Sequence, residues 1–378
     1  MERNTRNMVW IALILLVPYG WIMLHSARSL MKMNPFRIAG RPPLKISVVI
    51  AVRNEQRNIA GCLKSLLQQD FPAGQMEILI MDDHSSDQTA AIVNGMQDER
   101  IQYHRLSIEE QGKKAAINKG VGLAKYEFIL TTDADCRYNP NWMRTLAAFQ
   151  LKYKSVFIAA PVAMDKEQSF LDKFQSLDFL TLQGITAVAV TKQWFNMANG
   201  ANLMYSRKAF EDVNGFEGID AIPTGDDMLL MEKMSNAFPD KVHYCFSPDV
   251  VVVTEPEKSW KSFLHQRIRW ASKSTLYQNR SIKWVLGLVY ALNLILLAVM
   301  IGVAFGWMSA WALLLVVVKG MIEYPFMQQI TTFFRKTNLL IWFFPMQPIH
   351  IAYTVIAATL GWVGQYEWKG RKIKTIPI

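Results

Sequence analysis

Cysteine is scarce: the 378 residues hold three, Cys62, Cys136 and Cys245, at unrelated spacings. That excludes a disulfide framework and a cysteine-based metal knuckle, and it suits the cytosol. Charge is thin too, at 19% of residues against 51% hydrophobic ones, and no basic run is interleaved with aromatics. The net charge of +10 therefore does not point to nucleic acid. A basic excess leaves anionic lipid or a phosphorylated ligand as partners.

What the chain has in quantity is apolar sequence, with a mean hydropathy of +0.10 that is unevenly distributed. Residues 8–24, MVWIALILLVPYGWIML, form one charge-free block of near-spanning length. From Trp284 onward, blocks at about 284–307, 309–330 and 339–364 are long enough to cross a ~30 Å hydrocarbon core. Arg28, Lys32, Arg37 and Arg41 follow the first block, the juxtamembrane charge of a cytoplasmic flank. This favours an uncleaved span over a signal peptide and puts the following region inside the cell. Lys319 and Glu323 interrupt the second C-terminal block, and Pro345 and Pro348 the third, so one segment is open to being re-entrant or interfacial. With three full C-terminal spans the basic tail EWKGRKIK would end outside, against its charge. The expected layout is an N-terminal transmembrane helix over 1–30, a cytoplasmic domain over 31–280 and a C-terminal transmembrane region with a basic tail over 281–378.

Within the middle region, KISVVIAV (45–52), EILIMDD (77–83), IQYHRL (101–106) and EFILTTDAD (127–135) read as strands. Helical stretches alternate with them: NIAGCLKSLLQQD, DQTAAIVNGM and KKAAINKGVGLA. That alternation predicts an α/β fold with a parallel sheet, whose ligands bind beyond the carboxyl ends of the strands. Residues 168–190 place Phe170, Phe174, Leu177 and Leu180 or Leu182 near one face. They predict a helix in the core or, as the layout above takes it, in the bilayer interface.

The acids fall at strand ends. Asp82 and Asp83 suit hydrogen bonds from a base N–H or ribose hydroxyls, with helix capping by Asp87 as the plainer reading. Asp133 and Asp135 would share one face of an extended segment, where two charges repel by about 3 kcal/mol at an effective dielectric near 20. A shared proton, a basic partner or a metal ion must offset that. Hard cations such as Mg²⁺ take carboxylate oxygens and leave positions for phosphates. Lys113 and Lys114 open a helix, where ammonium charge and free N–H groups coincide. Downstream, Asp226 and Asp227 in TGDDMLL begin a helix as first-turn acids, or one serves as a general base. In HQRIRW, Gln266, Arg269 and Trp270 share one helical face, a platform for stacking on a ring and holding a phosphate.

The order DD at 82–83, DAD at 133–135, GDD at 225–227 and QRIRW at 266–270 resembles the D, D, D, Q-x-x-R-W series of membrane-bound family 2 inverting glycosyltransferases. That group includes cellulose, chitin and hyaluronan synthases and lipid glycosyltransferases. The likeness covers roughly residues 44–275, with GDD in place of TED and His84 in place of the usual glycine. It implies a glycosyltransferase A-type, Rossmann-like fold with a mixed, mainly parallel sheet, and a nucleotide-sugar donor, usually uridine diphosphate-linked. It also implies that Glu55 and Asp83 contact uridine, that Lys113 lies on the diphosphate side, and that Asp133 and Asp135 hold Mg²⁺ or Mn²⁺. Asp227 would be the base, with Asp226 as the fallback. Gln266, Arg269 and Trp270 would cap donor and acceptor, and Gly200 and Asn202 would lie on the acceptor side. The acceptor is a membrane lipid or a growing polysaccharide. The Q-x-x-R-W element suits a processive synthase, whereas three C-terminal spans and WKGR near the end suit the lipid. A receptor sensing nucleotide sugars on a decayed transferase fold would lack one of the acids, and none is missing.

Overall fold

The computed structural model describes residues 2–38, 40, 42–220, 225–273, 277, 279–363, 365–368 and 371–374. Arg41, Thr224 with the Pro-containing loop before Gly225, and Lys369 and Gly370 of WKGR lie outside the described residues. In chain order the first elements are α1 (Glu2–Lys32), β1 (Ile46–Val52), α2 (Ile59–Leu67), β2 (Met76–Asp82), α3 (Thr89–Asn94), β3 (Ile101–Arg105), α4 (Lys113–Leu123) and β4 (Phe128–Asp133). Next come β5 (Arg137–Tyr138), α5 (Trp142–Tyr153), β6 (Phe157–Ala159), β7 (Val162–Met164), α6 (Phe170–Thr191), β8 (Leu203–Ser206), α7 (Arg207–Asp212) and α8 (Met228–Ala237). The chain closes with β9 (Val242–Tyr244), β10 (Val252–Thr254), α9 (Trp260–Ala271), α10 (Arg280–Ala304), α11 (Leu314–Phe333), α12 (Phe343–Val363), β11 (Gln365–Trp368) and β12 (Arg371–Lys374).

Contacts divide the chain into two compact units. The α/β unit comprises Asn34–Asp165 and Ala189–Glu255; the helical unit comprises the segment up to Met33, Lys166–Val188 and the chain from Pro256.

In the α/β unit the main sheet has the order β3-β2-β1-β4-β8-β6-β9. β1 is parallel to both β2 and β4, β2 is parallel to β3, and β8 runs antiparallel to β4 and β6. The leading strands are mostly apolar because both faces of the sheet are covered: every residue of β2 is buried, and every residue of β1 except Ala51. The chain steps from β1 outward to β2 and β3, then returns to place β4 on the other side of β1. The carboxyl ends of β1 and β4 therefore flank the switch point where such sheets bind ligands. Crossover helices run antiparallel to the strands, so the N-terminus of α4, with Lys113, lies at that same edge. Gly120 permits this packing, since a Cβ there would fall 2.4 Å from Cγ1 of Val49.

One local expectation is corrected. β4 ends at Asp133, and Ala134 and Asp135 turn away, with the Cys136 N–H donating to the Asp133 carbonyl at 3.2 Å. The two acids thus do not share the face of one extended strand. A second sheet, β5-β10-β7, forms beside the turn, and its β10 carries Thr254. The three thiols are buried; burial pushes Cys62 up to about 12 and raises Cys136 and Cys245 as well, so none is a thiolate at neutral pH.

In the helical unit four segments are long and apolar enough to cross a membrane: Thr5–Lys32, Arg280–Ala304, Ala310–Phe333 and Thr337–Trp362. Helix α1 packs on α10 and α11, and α12 packs on α9 and α10. Trp10, Ile14, Val17 and Trp21 of α1 and Val317 and Met321 of α11 stay exposed, as lipid-facing side chains do. The charges that interrupt the second C-terminal block are neutralised inside the bundle. Fully buried Lys319 pairs with Glu323 at 2.6 Å and donates to Gln347 at 2.9 Å. Gln347 donates to Glu323 at 2.7 Å, and the Tyr19 hydroxyl donates to the same carboxylate. Helix α6 is buried at Phe174, Leu177 and Leu180 and also at Gln175, Ser176 and Asp178. The tail residues Gln365–Trp368 and Arg371–Lys374 pair as an antiparallel hairpin.

Candidate active site

At the carboxyl edge of the α/β unit, Lys113 is the hub. Its Nζ lies 2.8 Å from Asp133 Oδ1 and 3.1 Å from Asp226 Oδ2. Burial alone would lower its pKa, but Asp133, Asp226 and Asp227 together outweigh that and raise it, so the ammonium keeps its proton. Lys113 is thus a basic partner for Asp133 and Asp226. Asp227 caps α8, just ahead of its first turn: its Oδ1 accepts from the Met228 N–H at 2.7 Å and its Oδ2 from the Gly200 N–H at 3.3 Å. The neighbouring acids thus differ in role, Asp226 ion-paired and Asp227 seated on backbone N–H groups.

Gly200 lies between these groups. A Cβ there would come within 2.9 Å of Lys113 Nζ and 3.0 Å of Asp226 Oδ2. Gly200→Ala is therefore expected to displace the ammonium and lower turnover by about 10- to 100-fold, as a misplacement near 1 Å does. Thermal unfolding of the variant, compared with wild type, checks that the fold survives.

Asp135 lies close enough to Asp133 to feel its charge. Its Oδ2 accepts from the Thr254 hydroxyl at 2.9 Å. Burial, then the charge of Asp133 and more weakly that of Glu55, push its pKa up against the Thr254 hydrogen bond. Three carboxylates therefore crowd one edge with a surplus of negative charge. Among the described residues no group of three or more His, Cys, Asp or Glu side chains is arranged as a ready metal cage. The donor set nonetheless fits a hard divalent cation that takes its other ligands from phosphate and water.

Glu55 follows β1, with its N–H donating to Thr89 at 2.8 Å and its Oε2 accepting from Asn58 at 3.1 Å. Asp83 follows β2, buried and flanked by Arg53 at 3.5 Å and His84 at 3.1 Å. Asp82 is structural: its carboxylate accepts from the Ser85 N–H at 2.8 Å and the Tyr103 hydroxyl at 2.5 Å. Asn202, expected on the acceptor side, lies beneath the loop that carries Gly200. Its fully buried amide accepts from Trp142 Nε1 at 3.0 Å and donates to the Pro161 and Val250 carbonyls, each at 2.8 Å. Those bonds spend the side chain inside the core, where it supports the loop carrying Gly200.

Gln266, Arg269 and Trp270 lie on α9 of the helical unit, on the single helix their spacing predicted. Gln266 donates to Glu257 at 3.2 Å, and the Trp270 ring lies 4.2 Å from the Arg267 guanidinium and 5.9 Å from Phe179. Arg267 itself escaped the sequence reading. It is buried and holds Asp178 of α6 through Nε and Nη2, each at 2.8 Å, while Tyr353 also donates to Asp178. A variable position inside the Q-x-x-R-W spacing therefore anchors the helix that carries it.

Residues 47–213 match the glycosyl transferase family 2 model. Over 231 residues the chain is 26% identical to poly-beta-1,6-N-acetyl-D-glucosamine synthase of Staphylococcus epidermidis, covering 60% of this chain and 53% of that protein. Over 237 residues it is 32% identical to beta-monoglucosyldiacylglycerol synthase of Trichormus variabilis, covering 60% and 48%. The solved mannosyltransferase PcManGT from Pyrobaculum calidifontis, in complex with GDP-Man and Mn²⁺, aligns with a TM-score of 0.64 at 16% identity over 95% of this chain and 98% of that one. At that identity the likeness establishes the fold, glycosyltransferase A-type. The chain spans about half the length of the curated relatives it matches. It carries a family 2 glycosyltransferase domain.

Proposed function

We propose that the protein is an inverting glycosyltransferase. It moves a hexosyl group from a nucleotide-diphosphate donor, a uridine diphosphate sugar, to a membrane lipid at the cytoplasmic face of the cytoplasmic membrane. The observation that carries this reading is the cluster of Lys113, Asp133, Asp226 and Asp227 around Gly200, at the carboxyl edge of a family 2 domain.

The chemistry is a single displacement at the anomeric carbon. Asp227 accepts the proton of the attacking hydroxyl, because Asp226 is committed to Lys113 while Asp227 is oriented by the Gly200 and Met228 N–H groups. Asp133 and Asp135 would hold Mg²⁺ or Mn²⁺, which supplies positive charge to the departing diphosphate. Lys113 adds a second positive charge on the same side. Glu55 and Asp83 face the nucleoside. The proposal assigns Gln266, Arg269 and Trp270 to donor and acceptor binding from their place in the Q-x-x-R-W spacing.

Four spanning-length helices support residence in the bilayer, and the Arg28, Lys32 and Arg37 flank supports a cytoplasmic catalytic domain. A lipid acceptor agrees with the relative named for a diacylglycerol product. The second reading, a processive polysaccharide synthase, draws on the Q-x-x-R-W helix and on the relative named for a polymer. Incubating the full chain with labelled donor and total membrane lipid separates them. Label extracted into organic solvent supports the lipid acceptor; ethanol-insoluble label supports the polymer and overturns it.

A further inference from the structure

Two loops at the carboxyl edge of the α/β unit are stitched into one shelf. From the loop after β1, the N–H groups of Asn54, Glu55 and Gln56 donate to Ser85 at 2.9 Å, Thr89 at 2.8 Å and Asp87 at 3.1 Å. From the loop after β2, Ser86 N–H donates to Asn54 Oδ1 at 2.9 Å and Gln88 N–H to Gln56 Oε1 at 3.1 Å. Each loop carries one non-glycine residue in the left-handed region, Asn54 at φ 55° and His84 at φ 61°. Asparagine visits that region readily because its short polar side chain bonds locally. For an imidazole it is the conformation that glycine adopts with no Cβ penalty. His84 carries a second unfavourable feature: Nε2 is sealed from solvent with no hydrogen-bond partner among the described residues. Strain and an orphaned ring nitrogen in one residue persist where something else requires that side chain.

What the side chain does is grip Asp83. His84 Nδ1 lies 3.1 Å from Asp83 Oδ1, and Arg53 Nη1 reaches Asp83 Oδ2 at 3.5 Å. A carboxylate only accepts, so Nδ1 carries the proton in this contact. Held from both sides, the carboxylate is fixed in direction, and an acceptor-only group reads an N–H. Uracil offers one at N3 and guanine at N1, whereas cytosine presents a bare lone pair at N3.

We propose that His84 is a positioning residue for nucleobase recognition, locking the Asp83 carboxylate as the acceptor for the ring N–H of the donor's base. This rests on the nucleotide-sugar reading of the site.

Calorimetry on the full chain in detergent with Mn²⁺ tests it, using UDP, GDP, CDP and inorganic pyrophosphate against wild type, His84→Gly and His84→Asn. His84→Gly is expected to melt at or above the wild-type temperature while losing about tenfold in affinity for the preferred nucleotide, the loss of one charge-assisted contact. Pyrophosphate affinity should stay unchanged, and the preference over CDP should shrink. His84→Asn should keep most of the wild-type affinity, since asparagine tolerates the left-handed backbone and offers an N–H in place of Nδ1. A His84→Gly variant with wild-type affinity and preference overturns the proposal, as does equal loss of nucleotide and pyrophosphate. A wild-type protein that binds no nucleoside diphosphate more tightly than pyrophosphate overturns the donor reading itself, and the role of His84 with it.

Discussion

Replacing Asp227 with asparagine is expected to lower sugar transfer by about 10²- to 10⁴-fold, the usual worth of a positioned general base. Donor affinity should stay within about twofold, because the side chain keeps its shape and its cap on α8. An asparagine amide cannot take the acceptor proton at neutral pH. Its oxygen can still accept from the Met228 or Gly200 N–H, and asparagine caps a helix as well as aspartate does, so α8 should start where it does now. Asp226→Asn should behave differently. It removes the partner of Lys113 at 3.1 Å, and its loss should appear in donor binding as well as in turnover. Steady-state kinetics on both variants, paired with donor calorimetry, distinguishes a base from a charge-balancing neighbour. Wild-type turnover in Asp227→Asn would remove this residue from the mechanism.

Asp135→Ala is the second large effect. It should abolish the gain in donor affinity that Mn²⁺ confers, a loss of at least about tenfold, or 1.4 kcal/mol. Calorimetric titrations of the donor with Mn²⁺ and with chelator read this directly. In chelator the variant and the wild type should bind alike. The fold should be nearly untouched, because the substitution frees the Thr254 hydroxyl from one hydrogen bond, worth about 1 kcal/mol, and relieves repulsion with Asp133 and Glu55. Equal dependence on Mn²⁺ in variant and wild type would place the cation elsewhere.

The parts of this site that were legible in sequence are those set by local periodicity. β1, β2 and β4 are short apolar runs, β1 closed by the polar RNE and the other two by acids, and regular helical stretches alternate with them, so the carboxyl edge was legible. Gln266, Arg269 and Trp270 fell on one helix for the same reason. What failed was whatever tertiary contacts decide. Asp135 lies past the end of β4 because Cys136 closes a turn onto Asp133, and the alternation of an extended chain stops there. The two- and three-residue strands β5, β7 and β10 are too short to leave a periodic signal, so the Thr254 contact was invisible. Asn202 was placed on the acceptor side by resemblance alone, and its three hydrogen bonds to partners at least 41 positions away leave no local signal. Arg267 and Asp178 are separated by 89 positions, and nothing local distinguishes that pair from solvated charges. His84 did leave a trace, as a histidine where the family pattern has glycine, but only its backbone angle gives that trace a meaning.

Inverting transfer with Asp227 as the base leaves its mark on the stereochemistry of the product. The most direct measurement is the anomeric configuration of the product, read by NMR coupling after the full chain acts on α-linked uridine and guanosine diphosphate sugars with Mn²⁺ and total membrane lipid. A β-linked sugar and one nucleoside diphosphate released per transfer are expected, both lost in Asp227→Asn. An α-linked product, or equal yield from the variant, would contradict it.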